Sequence, residues 1–161
     1  MRLLLLRHGI AADAGPDTGW RDEPRALTAE GIARMERQAE GMAALGIEAS
    51  LVLTSPLIRC RQTAAIVCSR IGGEPREDAR LRPGMGLDDL DDVVLGYPDA
   101  SPLLVCGHQP DLSEAVAALT GGGSVDFRKG SLAVLDVTAL RPGGGRLRAL
   151  YPPAVLRALG Q

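Results

Sequence analysis

Short, wholly apolar runs alternate along the chain with longer stretches in which apolar residues recur at helical spacing. Residues 2–6 place Leu3, Leu4, Leu5 and Leu6 in one unbroken run. That run has strand length and no polar alternation, which predicts a strand covered on both faces, as in a parallel sheet. Residues 10–25 hold glycine, proline and aspartate and read as a loop. Thr28 is the expected N-cap of a helix whose apolar residues Ile32, Met35, Ala39, Met42 and Ala43 fall near helical spacing, with Gly31 an early irregularity and Gly46 the stop.

The same alternation continues. Residues 49–55 predict a second strand, and Pro56 is placed in the first turn of a helix that runs to the Gly72-Gly73 stop. Residues 87–98 predict a short acidic helix, residues 101–108 a third buried strand, and Pro110 the opening of another helix. Two late strands, 131–140 and 145–152, flank an apparent hairpin turn at 141–145. Strands that alternate with helices argue for a three-layer α/β/α sandwich with a mainly parallel central sheet and an antiparallel edge strand. No internal repeat or long linker divides the chain, so residues 1–161 are expected to form one domain.

Composition narrows the function. The chain has 161 residues, 45% of them apolar, enough for a real core. A net charge of −2 gives no basic field for nucleic acid, and 2% aromatics are too few for base-stacking platforms. Lys129 is the only lysine, so the other cations are arginines, whose forks suit phosphate and carboxylate. Scattered surface arginines alone would reflect composition bias. Cys60, Cys68 and Cys106 match neither a disulfide framework nor a zinc set, and Cys60 and Cys106 read as small buried hydrophobes. The leucine run is too short for a secretory signal and nothing approaches a membrane span, so the expectation is a cytoplasmic protein with no membrane or nucleic-acid partner.

Three predicted strands end in polar groups. The first ends at Arg7, His8 and Gly9; the second delivers Thr54, Ser55 and, a turn into the helix, Arg59; the third delivers His108. Ligands of open α/β sheets bind at the carboxyl ends of the strands, where following helices also point their N–H groups. Two arginines and both histidines of the chain would then share one crevice, a set suited to a phosphoryl group, with a neutral imidazole as nucleophile. Taken singly, each residue has a plainer reading: a structural histidine, a solvated helix arginine, a proline that starts a helix. Their recurrence at equivalent positions weakens that reading. There is no GxxxxGK[ST] loop, which argues against a nucleotide kinase, and no HxxxH or CxxC spacing, so no metal is expected.

At this point the chain resembles the histidine phosphatase superfamily, with its Arg-His-Gly triplet after the first strand, and more closely the small SixA-type phosphohistidine phosphatases. "LLLLRHGIA" resembles the first motif; "DEPRALTAEG" resembles a D-x-x-R-P-L-T-x-x-G segment, with Ala26 where proline is usual. "LTSPLIRCRQTA" resembles the S-P-x-x-R-x-x-Q-T segment, "LLVCGHQP" the second histidine motif and "KGSLAVLDV" the late strand. The resemblance implies a phosphoglycerate mutase-like fold with a minimal cap, and no cofactor. It implies His8 as the nucleophile that becomes phosphorylated, with Arg7, Arg59 and a protonated His108 completing the phosphate pocket.

The leaving-group acid is the open part of this reading. Asp88 and Asp89 are the candidate proton donors, with Asp13 and Asp22 in the other loop; the competing reading of the pair is a solvated acidic helix N-terminus. Ile10, Asp22, Arg25 and Ser55 are expected at the substrate rim, and Ile10 stands where relatives commonly carry a polar residue. A labile P–N bond needs no strong acid, and a small cap leaves room for a protein surface. The expected substrate is therefore phosphohistidine on a protein. The alternative is a small phosphate ester in the same pocket, and a non-catalytic phosphate-binding protein ranks below both.

Overall fold

The computed structural model describes residues 1–160. A six-stranded sheet is built from β1 (Arg2–Arg7), β2 (Leu51–Thr54), β3 (Pro75–Glu77), β4 (Leu103–Gly107), β5 (Leu132–Val137) and β6 (Gly145–Tyr151), in the order β3-β2-β4-β1-β5-β6. Strands β3, β2, β4 and β1 pair in parallel, while β5 is antiparallel to both β1 and β6. The expected sandwich with a mainly parallel sheet is thus present. The reversed strand is β5, one position in from the edge, and β6 lies outside it.

The leucine run explains itself once both faces are seen. Leu3 and Leu5 face one core, with α3 (Leu87–Leu95), α4 (Asp111–Thr120) and Phe127. Leu4 and Leu6 face the other, with α1 (Ala29–Ala44), α2 (Ile58–Ile71) and Leu156 of α5 (Pro153–Leu159). All four leucines are buried, and each contributes about 1.5–3 kcal/mol by leaving water. The run has no alternation because neither face meets solvent.

Thr28 caps α1 as expected, its Oγ1 accepting the Gly31 N–H at 2.9 Å. Gly31 is there for space: a Cβ would overlap the Ile10 carbonyl. Gly41, further along α1, meets the Leu156 carbonyl in the same way and lets α5 lie against α1. Helix α2 starts at Ile58 with Leu57 as N-cap, later than the sequence expectation, so Pro56 lies before the helix and not within its first turn. Two elements carry no sequence signal: β3 is three exposed residues, and α5 follows a Pro-Pro pair and buries only Leu156.

Candidate active site

The carboxyl ends of β1, β4 and β2 are locked in register beyond the strands themselves. The His8 N–H donates to the Gly107 carbonyl at 3.2 Å, and the Ser55 N–H to the Cys106 carbonyl at 3.1 Å. These bonds hold His8, His108 and Ser55 along one edge, and α2 brings Arg59 to them from its first turn. Gly9 makes room for α1, since a Cβ there would sit 2.6 Å from Met35 Cγ. Its N–H donates to Thr63 Oγ1 at 3.1 Å, and the same hydroxyl donates to the Arg59 carbonyl at 2.7 Å. Gln62 accepts the Leu27 N–H at 2.7 Å. The Gln62-Thr63 pair of the S-P-x-x-R-x-x-Q-T segment therefore ties the loop after β1 to α2.

The hydrogen bonds assign the His8 tautomer. Nδ1 lies 2.7 Å from the Gly9 carbonyl, which can only accept, so Nδ1 carries the proton. Nε2 keeps its lone pair and accepts from Arg59 Nε at 3.3 Å. Burial, helped by the nearby Arg59 and Arg7 charges, outweighs the Gly9 hydrogen bond and lowers the His8 pKa from 6.5 to about 3. His8 is a neutral, preoriented base at neutral pH.

Arg59 is the hub. It is 3% exposed, and besides His8 it donates to the Asp22 carbonyl (3.1 Å), to Asp22 Oδ2 (2.8 Å) and to His108 Nδ1 (3.3 Å). A guanidinium has only donors, so His108 Nδ1 is the acceptor, and its Nε2–H lies 2.8 Å from Ser55 Oγ. The two nitrogens of His108 face a donor and a hydroxyl, and the cationic charge comes from Arg7 and Arg59. The His8 and His108 rings lie 5.4 Å apart, tilted by 58°. Arg7 donates from one terminal nitrogen to the Phe127 carbonyl at 2.8 Å, and its Nε is buried without a partner. An unpaired guanidinium N–H at the strand end suits an incoming oxyanion.

The other expected residues divide. Asp22 reaches the site and bridges Arg59 to Arg25, whose guanidinium it meets at 2.7 Å. Burial alone would raise its carboxyl, but the hydrogen bonds from Arg25 and Arg59 outweigh that and hold it below the usual carboxylate range. Arg25 is not at the rim; it stands behind Asp22 and donates to the Ala12 carbonyl at 2.6 Å. Ser55 is fully buried and belongs to the floor, under His108. Ile10 is half-buried at the rim. Asp88 and Asp89 lie in the first turn of α3, where Asp89 accepts the Gly86 N–H at 2.8 Å as a helix cap. Neither makes a hydrogen bond to Arg7, His8, Arg59 or His108, so the solvated-helix reading describes them. Asp13 is exposed.

One feature escaped the sequence reading. Cys60 is buried as expected, but its Sγ also lies 3.5 Å from His108 Nε2. A hydrogen bond from Cys106, with His108 and Arg59 close by, holds the Cys60 thiol below the usual range. Among the described residues no three His, Cys, Asp or Glu side chains gather as a metal-ligand set, and no helix is long and apolar enough to cross a membrane.

The low His8 pKa couples to stability. The unfolded chain protonates this imidazole near 6.5, the folded one only near 3. Between these values the unfolded state binds more protons, so stability is complete above pH 6.5 and is lost as pH falls toward 3. From pH 7 to pH 5 the loss from His8 is about 2 kcal/mol. Urea unfolding at both pH values checks it: His8→Gln should lose about 2 kcal/mol less than the parent on acidification, and equal losses would refute the assignment.

A strand-end Arg-His pair, a helix-borne arginine and a second histidine on a phosphoglycerate mutase-like sheet define a histidine phosphatase. The profile of the histidine phosphatase superfamily (branch 1) matches residues 3–85, and the chain belongs to that superfamily. It is 36% identical over 156 residues to an uncharacterised protein of Picosynechococcus, covering 92% of this chain and 90% of that one. Among solved structures it is similar to a candidate phosphohistidine phosphatase SixA of Agrobacterium tumefaciens, with 26% identity, a TM-score of 0.79 and coverage of 94% of this chain and 97% of that one. The protein histidine phosphatase SixA complexed with tungstate shares the fold, with a TM-score of 0.84, 24% identity and coverage of 97% and 99%.

Proposed function

We propose that the protein is a metal-independent phosphatase that works through a phosphohistidine intermediate on His8, and that its substrate is phosphohistidine on a protein. The observation behind the first half is the His8 imidazole, fixed neutral with Nδ1–H on Gly9 and the Nε2 lone pair facing Arg59. Nε2 attacks phosphorus, the P–N bond to the substrate breaks, and the departing imidazole leaves with a proton. Water then attacks phospho-His8, giving inorganic phosphate and restoring the Nε2 lone pair. Arg7 and Arg59 meet the charge on the transferring oxygens, the main source of acceleration in phosphoryl transfer.

The second half rests on what surrounds the pocket. No carboxyl group is poised as a strong acid: Asp88 and Asp89 stay at their helix, and Asp22 is held ionised. An alkyl ester would need such an acid, whereas an imidazole leaving group does not. Trp20, 74% exposed, stands two residues before Asp22 and offers a large apolar contact to a protein surface. We place the reaction in the cytoplasm, which keeps thiols such as Cys60, Cys68 and Cys106 reduced; all three are free.

Rapid acid-free quenching during turnover should trap an acid-labile, alkali-stable phosphoenzyme. A phosphohistidine protein should then be hydrolysed with kcat/KM at least about a hundredfold above simple alkyl phosphates, a gap of the size a missing general acid leaves. Faster turnover of the esters would overturn the substrate assignment but not the intermediate.

A further inference from the structure

An unexplained cavity of about 530 Å³ lies beside the phosphate pocket, at the sheet edge where β1 and β6 end and β5 begins. Arg7, Gly9 and Ile10, the neighbours of His8 in the chain, form one wall. Helix α1 supplies Arg34 and Gln38, the turn before β5 supplies Arg128 and Lys129, the start of α5 supplies Pro152 and Pro153, and its last turn supplies Arg157. Five cations line the cavity and, among the described residues, no carboxylate does. Arg34 is paired with Glu30 and Arg128 with Asp126. Lys129 and Arg157 have no ion pair among the described residues.

Two buried polar groups point to a ligand. Gln38 is 2% exposed, lines the cavity, and its carboxamide makes no hydrogen bond to another described residue. The space for it is reserved: Gly130, at φ +80, lies so close that a Cβ would sit 2.6 Å from both carboxamide ends. Arg7, which lines the same cavity, has its Nε buried without a partner. An unsatisfied buried polar group costs about 1–3 kcal/mol; Arg7 Nε is one, and beside it the Gln38 carboxamide on the cavity wall is open to bond an occupant. Ile10 and the two prolines line the opposite requirement, an apolar stem.

We infer that this cavity seats an acidic side chain that flanks the phosphohistidine in the substrate protein. The inference rests on the phosphatase reading and extends it to substrate choice. A carboxylate on a short aliphatic stem matches the chemistry: its oxygens take N–H groups from Gln38, Lys129 and Arg157, and its methylenes lie on Ile10 and the prolines. Arg34 and Arg128, both exposed, extend the positive field around the mouth toward further acidic residues. A nucleobase finds no aromatic platform there. This also gives Ile10 its place: it is the apolar divider between the phosphoryl pocket and the acidic-residue pocket.

Steady-state kinetics decide the matter with two phosphohistidine peptides that differ only in Glu or Gln beside the phosphohistidine. The parent enzyme should show a KM about tenfold lower for the Glu peptide, with similar kcat. Lys129→Glu combined with Arg157→Glu should erase or reverse that preference, while Arg146→Glu, at the far end of β6, keeps it. Gln38→Leu should raise KM for the Glu peptide alone. Equal KM values in the parent, with both peptides hydrolysed, would overturn the subsite and leave the phosphatase reading intact. Turnover of phenyl phosphate with neither peptide hydrolysed would overturn the protein-substrate reading instead. A variant-sensitive preference for a small bisphosphate over its monophosphate would overturn the acidic side chain as occupant.

Discussion

Replacing His8 with alanine abolishes phosphatase activity, by at least about 10⁴-fold in kcat/KM on phenyl phosphate, and no phosphoenzyme forms. The size of the loss follows from the chemistry. Without Nε2 there is no covalent intermediate, and water would have to attack phosphorus beside a pocket shaped for an imidazole. Arg7 and Arg59 would still bind phosphate, so the variant should retain affinity for inorganic phosphate as a competitive ligand. The fold should survive, because the ring accepts only one bond from Arg59 and donates one to its neighbour Gly9. Turnover within tenfold of the parent would show that some other group attacks.

Arg59→Ala should lower kcat/KM by about 10³-fold, the cost of removing a guanidinium that meets developing charge in phosphoryl transfer. The effect has three parts, because Arg59 holds three neighbours. His8 loses the donor aimed at Nε2, His108 loses the donor at Nδ1, and Asp22 loses one of its two cations. The freed carboxylate then adds repulsion toward any phosphate. Arg59→Lys keeps the charge but not the fork, and it should recover only a small part of the activity. The double variant Arg59→Ala, Asp22→Ala should be faster than Arg59→Ala alone. Measurement of kcat/KM for the three variants checks this, and a loss under tenfold in Arg59→Ala would remove Arg59 from the pocket.

How far the sequence could be read varies by residue. Arg7, His8 and His108 were legible because apolar runs end in polar groups at equivalent positions, strand after strand. Arg59 was legible from its spacing after Ser55. The strands β1, β2 and β4 were legible for the same reason: both faces are buried, so the runs are unbroken. β3 was not, because three exposed residues at a sheet edge carry no hydrophobic signal. α5 was hidden by a single buried leucine behind two prolines. Arg25 and Ser55 look like rim residues in a motif, but only distances show one behind Asp22 and the other under His108. Gln38 looked like an ordinary polar helix position. Its role depends on Gly130, almost a hundred residues away in the chain, and no local pattern joins the two.

The wiring of the pocket carries a consequence for how the protein comes together. His8 meets Arg59 across 51 residues of chain, Arg59 meets His108 across 49, and Arg7 meets Phe127 across 120. Each contact closes a long loop, and such closures give their reward only after the chain has collapsed around them. β1, in the middle of the sheet, draws its partners β4 and β5 from the far half of the sequence. No fragment emerging from the ribosome before β4 holds both histidines. The pocket is a property of the finished sheet: Arg7, His8, Arg59 and His108 meet only when β1, β2 and β4 lie side by side.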